Sequence, residues 1–328
     1  MAVISKVTVF GAAGNFGAPI TAALRDAGGF EVVVFTRPGS TSIPLFTQGR
    51  QEDVVVRVDY ADEKALEHEF RTRRIQAVVS VLGPKGVGVQ KGIVDAAYAA
   101  GCVGRFIVND FGWGFGERAL PEFKAIGESR HVAWDQAMRY ARRDDEDDKG
   151  DDGARVRFTW TGITIGNPID WALAKFPHMG FDIPARRATI YDAGTEAFTG
   201  TTLAGIGQSV VGVLRNPAET ANRFVQVRSI KTCQNELLAA FKKLTTEEDE
   251  WTITHSTAHQ LLVDGCRKHA QGDGGWVLDL LVYQMYAPGE ARCVVGSSDE
   301  EDGLADSRVL GIAQESAEEV VRKALDRV

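Results

Sequence analysis

The chain reads as an α/β protein built on a doubly wound parallel sheet, with a smaller C-terminal α/β region. Three observations predict this. Short apolar runs alternate with helical stretches through the first half of the 328 residues. A glycine-rich turn follows the first apolar run directly and opens a helix. The spacing of the runs leaves room for a crossover helix between successive strands, which makes neighbours parallel and the crossovers right-handed. Together they describe a Rossmann-type fold.

Residues 7–10 form the first strand, and Gly11-Ala12-Ala13-Gly14-Asn15-Phe16-Gly17 leads into a helix over 18–27. Gly11 permits a sharp turn, Gly14 a close approach of backbone to a pyrophosphate, and Gly17 tight packing of helix on strand. The helix start offers N–H groups without intrahelical partners and a partial positive charge, both suited to phosphates. A dinucleotide cofactor is therefore expected. The second strand, 31–35, indicates which one. An NAD-selective site places an acid at its end for the ribose 2′-hydroxyl, whereas this chain has Arg37, with Ser40 and Thr41 close behind. A guanidinium grips a 2′-phosphate through paired hydrogen bonds, so the expected cofactor is NADP(H).

Residues 54–58 form a third strand ending at Asp59, 65–71 a helix, and 76–82 a fourth strand that contains Ser80. The turn Gly83-Pro84-Lys85-Gly86-Val87-Gly88 leads to a helix over 90–100, and 105–108 is the fifth strand. Ligands of such sheets bind beyond the carboxyl ends of the strands. That rule gathers Gly11, Gly14, Asn15, Phe16, Gly17, Arg37, Asp59, Ser80, Gly83 and Asn109 around one crevice as the cofactor-binding set. The acid-rich run 143–153 repels itself and is expected to be a mobile surface loop before a strand over 155–160.

Beyond Gly166-Asn167-Pro168 the pattern loosens. Strands are expected over 188–191, 223–227 and 251–254, and helices over 206–214, 257–267, 276–286 and 316–327. A further helix over 232–242 has Thr232 in the N-cap position. The expected division is a cofactor domain at 1–166 and a substrate region at 167–328 packed over the crevice.

Composition narrows the function. A net charge of −8 argues against a nucleic-acid footprint, which needs a basic face. No apolar stretch is long enough to span a bilayer, and the N-terminus has no signal-peptide pattern, so a cytoplasmic protein is expected. The four cysteines are scattered without metal-ligand spacing, and we expect reduced thiols and no metal site.

The glycine turn, Arg37, the stretch Val78 to Gly83, Gln90 and Asp95-Ala96-Ala97 share one further property with Arg105-Phe106-Ile107-Val108-Asn109-Asp110-Phe111-Gly112, Trp160-Thr161 and Asp170-Trp171. Together they resemble the NmrA-like and isoflavone-reductase-like group of atypical short-chain dehydrogenases. The resemblance covers most of the chain and weakens after about Lys242. It is nearest to the fungal branch, many of whose members act in secondary metabolism. It implies an NADP-binding Rossmann domain and, in the reductases, a lysine near the start of the helix after the Phe-Gly turn. That lysine orients the nicotinamide ribose and assists proton transfer. Here the match breaks: aligning that helix on Val132, Trp134 and Met138 puts His131 at the lysine's place, after Arg130.

A hydride reductase needs a proton donor for its substrate. His131 is the leading candidate, because imidazole titrates near neutral pH. Lys124, seven residues earlier on the same helical face, is a second, and Asp110 at the crevice mouth a third. Trp113, Phe115, Trp134, Asn167 and Trp171 are expected to line the substrate side, which suits an aromatic small molecule. The expected function is NADPH-dependent reduction of a C=C, C=N or C=O bond, by a monomer or homodimer. Two alternatives stay open: a non-redox cyclase of Pictet–Spengler type that keeps NADP as a structural element, and a redox-sensing regulator.

Overall fold

Strand β1 (Lys6–Phe10) is buried on both faces because the sheet around it is covered on both sides. In the computed structural model, which describes residues 3–41, 54–112, 120–147, 156–175, 177–245, 250–290, 292–296 and 304–328, β1 pairs with β2 (Glu31–Thr36) on one side and β4 (Ala77–Ser80) on the other. Outside β2 lies β3 (Val54–Arg57); beyond β4 come β5 (Arg105–Val108), β6 (Thr159–Thr164) and β10 (Arg223–Gln226). Among the described residues the sheet has seven strands, ordered β3-β2-β1-β4-β5-β6-β10, every pair parallel. The order reverses between β1 and β4, the switch point beyond whose strand ends such sheets bind their ligands.

Helices α1 (Gly17–Asp26) and α6 (Leu203–Arg215) cover one face through Ile20, Leu24, Ile206 and Val210. Helices α2 (Glu63–Arg73), α3 (Gln90–Ala100) and α4 (Lys124–Asp147) cover the other through Leu66, Phe70, Ile93 and Ala137. Each of these buried Val, Leu, Ile and Phe side chains stabilises the fold by roughly 1.5–3 kcal/mol over its exposed state.

Three expectations are corrected here. The sixth strand begins at Thr159, four residues later than the expected 155, because its register is set by Arg105 opposite Thr159. Arg105 is fully buried and donates to the hydroxyls of Thr159 (2.9 Å), Thr161 (2.9 Å) and Thr220 (2.8 Å) and to the Pro217 carbonyl (2.5 Å). The acid-rich run is not a loop from 143 onward, since α4 continues to Asp147. Asp144 holds that end down by accepting from Tyr98 Oη (2.9 Å) and the Phe158 N–H (2.7 Å); residues 148–153 lie outside the described ones. The division at residue 166 is also crossed, because β10 follows it in the chain yet joins the main sheet, and α6 covers one face of that sheet.

The remaining elements form the smaller region. Strands β7 (Phe181–Asp182), β8 (Arg187–Tyr191) and β12 (Thr252–Ser256) make a three-stranded sheet, while β9 (Phe198–Gly200) pairs antiparallel with β11 (Ile230–Thr232). Around them pack α5 (Ile169–Leu173), α7 (Gln234–Leu244), α8 (Ala258–Ala270), α9 (Trp276–Tyr286) and α11 (Ala317–Leu325). Phe181, Phe198, Phe241, Trp251 and Tyr286 form the centre of this second core. Thr232 is the last residue of β11 and not a cap: Cys233 occupies the N-cap of α7, and the Thr232 hydroxyl donates to the Glu236 carboxylate (2.7 Å).

Candidate active site

The turn after β1 is built around two glycines. Gly11 has φ +86°, and a Cβ there would stand 2.7 Å from the Val81 carbonyl oxygen. At Gly17 a Cβ would stand 2.0 Å from the Gly11 oxygen, so no other residue lets α1 begin this close to the strand. The Gly14 N–H closes the turn on the Gly11 carbonyl (2.8 Å), and Asn15 is exposed at its tip. Phe16 at the N-cap of α1 supplies no side-chain hydrogen bond, and no acid lies in the first turn. In the first turn of α1 the Ala18 N–H is spent on the Gly14 carbonyl (3.0 Å) and Pro19 has no N–H, which leaves the Gly17 N–H and the turn before it to meet an external anion. This cradle fits the pyrophosphate of a dinucleotide.

Arg37 is exposed just past β2, on a turn closed by the Ser40 N–H to the Arg37 carbonyl (3.1 Å). Arg57 at the end of β3 donates from Nη1 to the Ser40 carbonyl (3.0 Å) and braces that turn from behind. Among the described residues no carboxylate pairs with Arg37. Tyr60 lies beneath it, donating to the Phe35 carbonyl (2.6 Å); burial pushes this phenol up to about 12, with the Arg37 charge opposing the rise. An exposed cation in place of a ribose-binding acid fits a 2′-phosphate, and hence NADP(H). Asp59 uses Oδ1 to accept the Ala61 N–H (3.0 Å) and shapes its own turn.

Ser80 ends β4 and Asn109 follows β5, but both spend their side chains internally. The Ser80 hydroxyl donates to Gln90 Oε1 (3.1 Å), and Asn109 Nδ2 donates to the Leu82 carbonyl (2.6 Å). Both fix the loop in which Gly83 accepts the Gly86 N–H (2.8 Å).

The turn after β5 faces the glycine turn. Phe111 sits at φ +42°, an uncommon state for an aromatic residue, and its ring lies 6.3 Å from that of Phe16. The turn is locked by the Phe111 N–H on the Ile163 carbonyl (3.0 Å) and by the Gly112 carbonyl, which accepts from Ile165 (2.9 Å) and Gly166 (3.0 Å). Asp110 is buried and accepts the Thr164 hydroxyl at Oδ2 (2.7 Å). Above it, α4 brings three side chains together. Trp134 Nε1 donates to the Asn109 carbonyl (3.3 Å), Arg130 Nη2 approaches the Asp110 carbonyl (3.4 Å), and the half-buried His131 ring lies 5.0 Å from that of Trp134.

The other expected site residues divide. Lys124 stands in solvent, its side chain 78% exposed and 3.8 Å from Glu128, so it lacks the burial its candidacy requires. Trp134 is a core residue packed edge-on to Phe224 (5.2 Å), not a wall open to a substrate. Asn167 is buried, with Nδ2 on the Met285 sulfur (3.3 Å), and joins the main sheet to α9. Trp171 is half-buried between the two cores, edge-on to His178 (5.5 Å). Trp113 and Phe115 lie outside the described residues. The sequence reading missed Arg130, whose only signal was its place beside His131. Among the described residues no group of His, Cys, Asp and Glu could hold a metal, and no helix is long and apolar enough to cross a membrane.

The profile of the NmrA-like family matches residues 4–117. An oxidoreductase of Penicillium oxalicum, poxI, is 50% identical over 323 residues, covering 98% of this chain and 94% of its own length. The complex of leucoanthocyanidin reductase with NADPH from Vitis vinifera superposes with a TM-score of 0.69 at 17% identity, over 98% of this chain and 100% of that one. A crystal structure of isoflavone reductase superposes with a TM-score of 0.66 at 17% identity, over 98% and 99%. The fold is that of these two structures, and half of the aligned residues are identical in the Penicillium oxalicum oxidoreductase. This chain belongs to the NmrA-like family of oxidoreductases.

Proposed function

We propose that the chain is an NADPH-dependent reductase of a C=C, C=N or C=O bond in an aromatic small molecule, of the kind made in fungal secondary metabolism. One observation carries this reading. Helix α4 rests on the Asn109–Gly112 turn through Trp134 and Arg130, with His131 against Trp134, and the Phe111 ring of that turn lies 6.3 Å from Phe16 of the phosphate cradle. This supports a proton donor on α4 next to the cofactor turn. When bound, NADPH supplies a hydride; the chain supplies the rest. Gly11, Gly14 and Gly17 with the start of α1 hold the pyrophosphate, and Arg37 the 2′-phosphate. Arg57 positions the turn of Arg37. His131 delivers the proton that balances the hydride. Asp110 keeps the turn in place through Thr164, and we assign no proton transfer to Lys124. The poxI relative, itself called an oxidoreductase, supports the reading.

A histidine where the family's reductases carry lysine also favours a second reading, a non-redox cyclase that retains the cofactor as scaffold. One experiment separates them. The protein is incubated with NADPH deuterated at one or the other C4 face and a pool of aromatic polyketide and alkaloid precursors, and products are weighed by mass spectrometry. A product one deuterium heavier establishes reduction. An unlabelled product, formed equally with NADP⁺, establishes the non-redox reading.

A further inference from the structure

Two arginines are tied to the turn Arg37-Pro38-Gly39-Ser40. Arg57, the last residue of β3, stands opposite Thr36, the last of β2, so the two strands end together at the carboxyl edge of the sheet. Arg37 opens the turn that follows, Gly39 takes φ +74°, and the Ser40 N–H closes it on the Arg37 carbonyl (3.1 Å). Arg57 Nη1 donates to the Ser40 carbonyl (3.0 Å), and its guanidinium makes no other hydrogen bond among the described residues. Both arginines are exposed, and among the described residues no carboxylate pairs with either. The acids that follow β3 are committed to backbone: Asp59 Oδ1 accepts the Ala61 N–H (3.0 Å) and Asp62 Oδ1 the Ala65 N–H (2.9 Å). A guanidinium has five N–H donors, so most of those on Arg57 are unspent.

We infer that Arg57 is the second cation of the 2′-phosphate site, so that the choice of NADPH over NADH rests on two guanidiniums and not on Arg37 alone. This rests on the reading that places the 2′-phosphate at the end of β2. A phosphate monoester carries about −1.5 to −2 charge at neutral pH, more than one guanidinium balances. The two arginines contribute differently. Arg37 is part of the turn itself and moves with it. Arg57 rises from a strand, and its bond to the Ser40 carbonyl holds its planar fork in place before any ligand arrives, so less freedom is lost on binding. The same bond keeps the turn, and with it Arg37, at a set distance from the second charge. Arg57 and Ser40 are 17 residues apart in the chain, and the pairing of β2 with β3 brings them together.

The test is calorimetric titration of the full chain with adenosine 2′,5′-bisphosphate and with 5′-AMP, which differ only in the 2′-phosphate. The wild type should prefer the bisphosphate by about tenfold or more, the worth of a charge-assisted hydrogen bond. Arg57→Gln can still donate to the Ser40 carbonyl but carries no charge. It should weaken the bisphosphate about tenfold and leave 5′-AMP unchanged, while Arg57→Lys should lose less. The double variant separates contact from bracing. In an Arg37→Gln background, Arg57→Gln should remove the preference that remains. If Arg57 only braces the turn, it acts wholly through Arg37, and the double variant will match Arg37→Gln alone; that result overturns the inference. So does an Arg57→Gln variant that binds the bisphosphate as the wild type does, or one that loses 5′-AMP equally, which would assign the arginine to the adenosine or the 5′-phosphate. The underlying reading fails in a different way: a wild-type preference that survives Arg37→Gln and Arg57→Gln alike places the 2′-phosphate away from the end of β2 and removes both.

Discussion

Asp170 and Arg327 stand 157 residues apart in the chain and form an ion pair, with Arg327 Nη2 2.7 Å and Nε 3.1 Å from Asp170 Oδ2. The Asp170 side chain is 1% exposed and that of Arg327 36%. The other carboxylate oxygen, Oδ1, accepts the Leu203 N–H at the start of α6 (2.9 Å). One buried carboxylate thereby ties together α5, the helix that backs the cofactor turn, and the C-terminal residues after α11.

Breaking this pair from the exposed side leaves an uncompensated charge in the interior, and that is costly. Arg327→Met should lower unfolding stability by about 3 kcal/mol, read from the urea midpoint at constant slope. Adding Asp170→Asn should recover part of the loss, because it removes the orphaned charge. Strictly additive losses would mean that the two side chains do not act as a pair.

Tyr60 gives the fold a defined alkaline limit. Its folded pKa, about 12, lies above the unfolded value of 10.0. The stability it contributes is complete below pH 10 and is lost as pH rises towards 12, at up to about 1.4 kcal/mol per pH unit. Tyr60→Phe should remove this step from the alkaline unfolding profile, while costing about 1 kcal/mol at pH 8 through the lost bond to Phe35. A tyrosinate absorbance that develops fully near pH 10 in the native protein would contradict the assignment.

The features legible in the sequence are those whose chemistry is local. The turn Gly11–Gly17 needs specific residues at fixed offsets, and strands 7–10 and 105–108 end where their apolar runs end. What escaped the sequence depends on distant partners. The start of β6 is set by Arg105 reaching Thr159, Thr161 and Thr220, and no window of the sequence contains all four. Trp134 was misread for a related reason. Periodicity places it on a helix but does not say that its indole will turn inward to Asn109. Asp144 looked like one more charge in a solvated run until the Tyr98 hydroxyl and the Phe158 N–H gave it a structural task.

Arg37 should control cofactor choice. Arg37→Gln removes the paired donors for the 2′-phosphate and should weaken NADPH binding at least tenfold, with NADH affinity unchanged. Arg37→Asp should go further and move preference towards NADH, since an acid at this strand end accepts from a free 2′-hydroxyl. The readout is the ratio of dissociation constants from fluorescence titration. An unchanged ratio in both variants would place the 2′-phosphate elsewhere.

Variants of His131, the proposed proton donor, separate proton transfer from packing. Its ring lies 5.0 Å from the ring of Trp134, so a residue of similar size is needed to keep α4 in place. His131→Gln retains bulk and polarity but cannot donate a proton as an acid, and should lower kcat by roughly 10²–10⁴-fold with NADPH affinity preserved. Its pH–rate profile should also lose the limb that reports the imidazole. His131→Lys puts back a side chain that can act as an acid and should recover part of the rate with the limb displaced to higher pH. If Gln and Lys variants both keep the wild-type rate and profile, the proton comes from another group, and His131 serves only to seat the helix on Trp134.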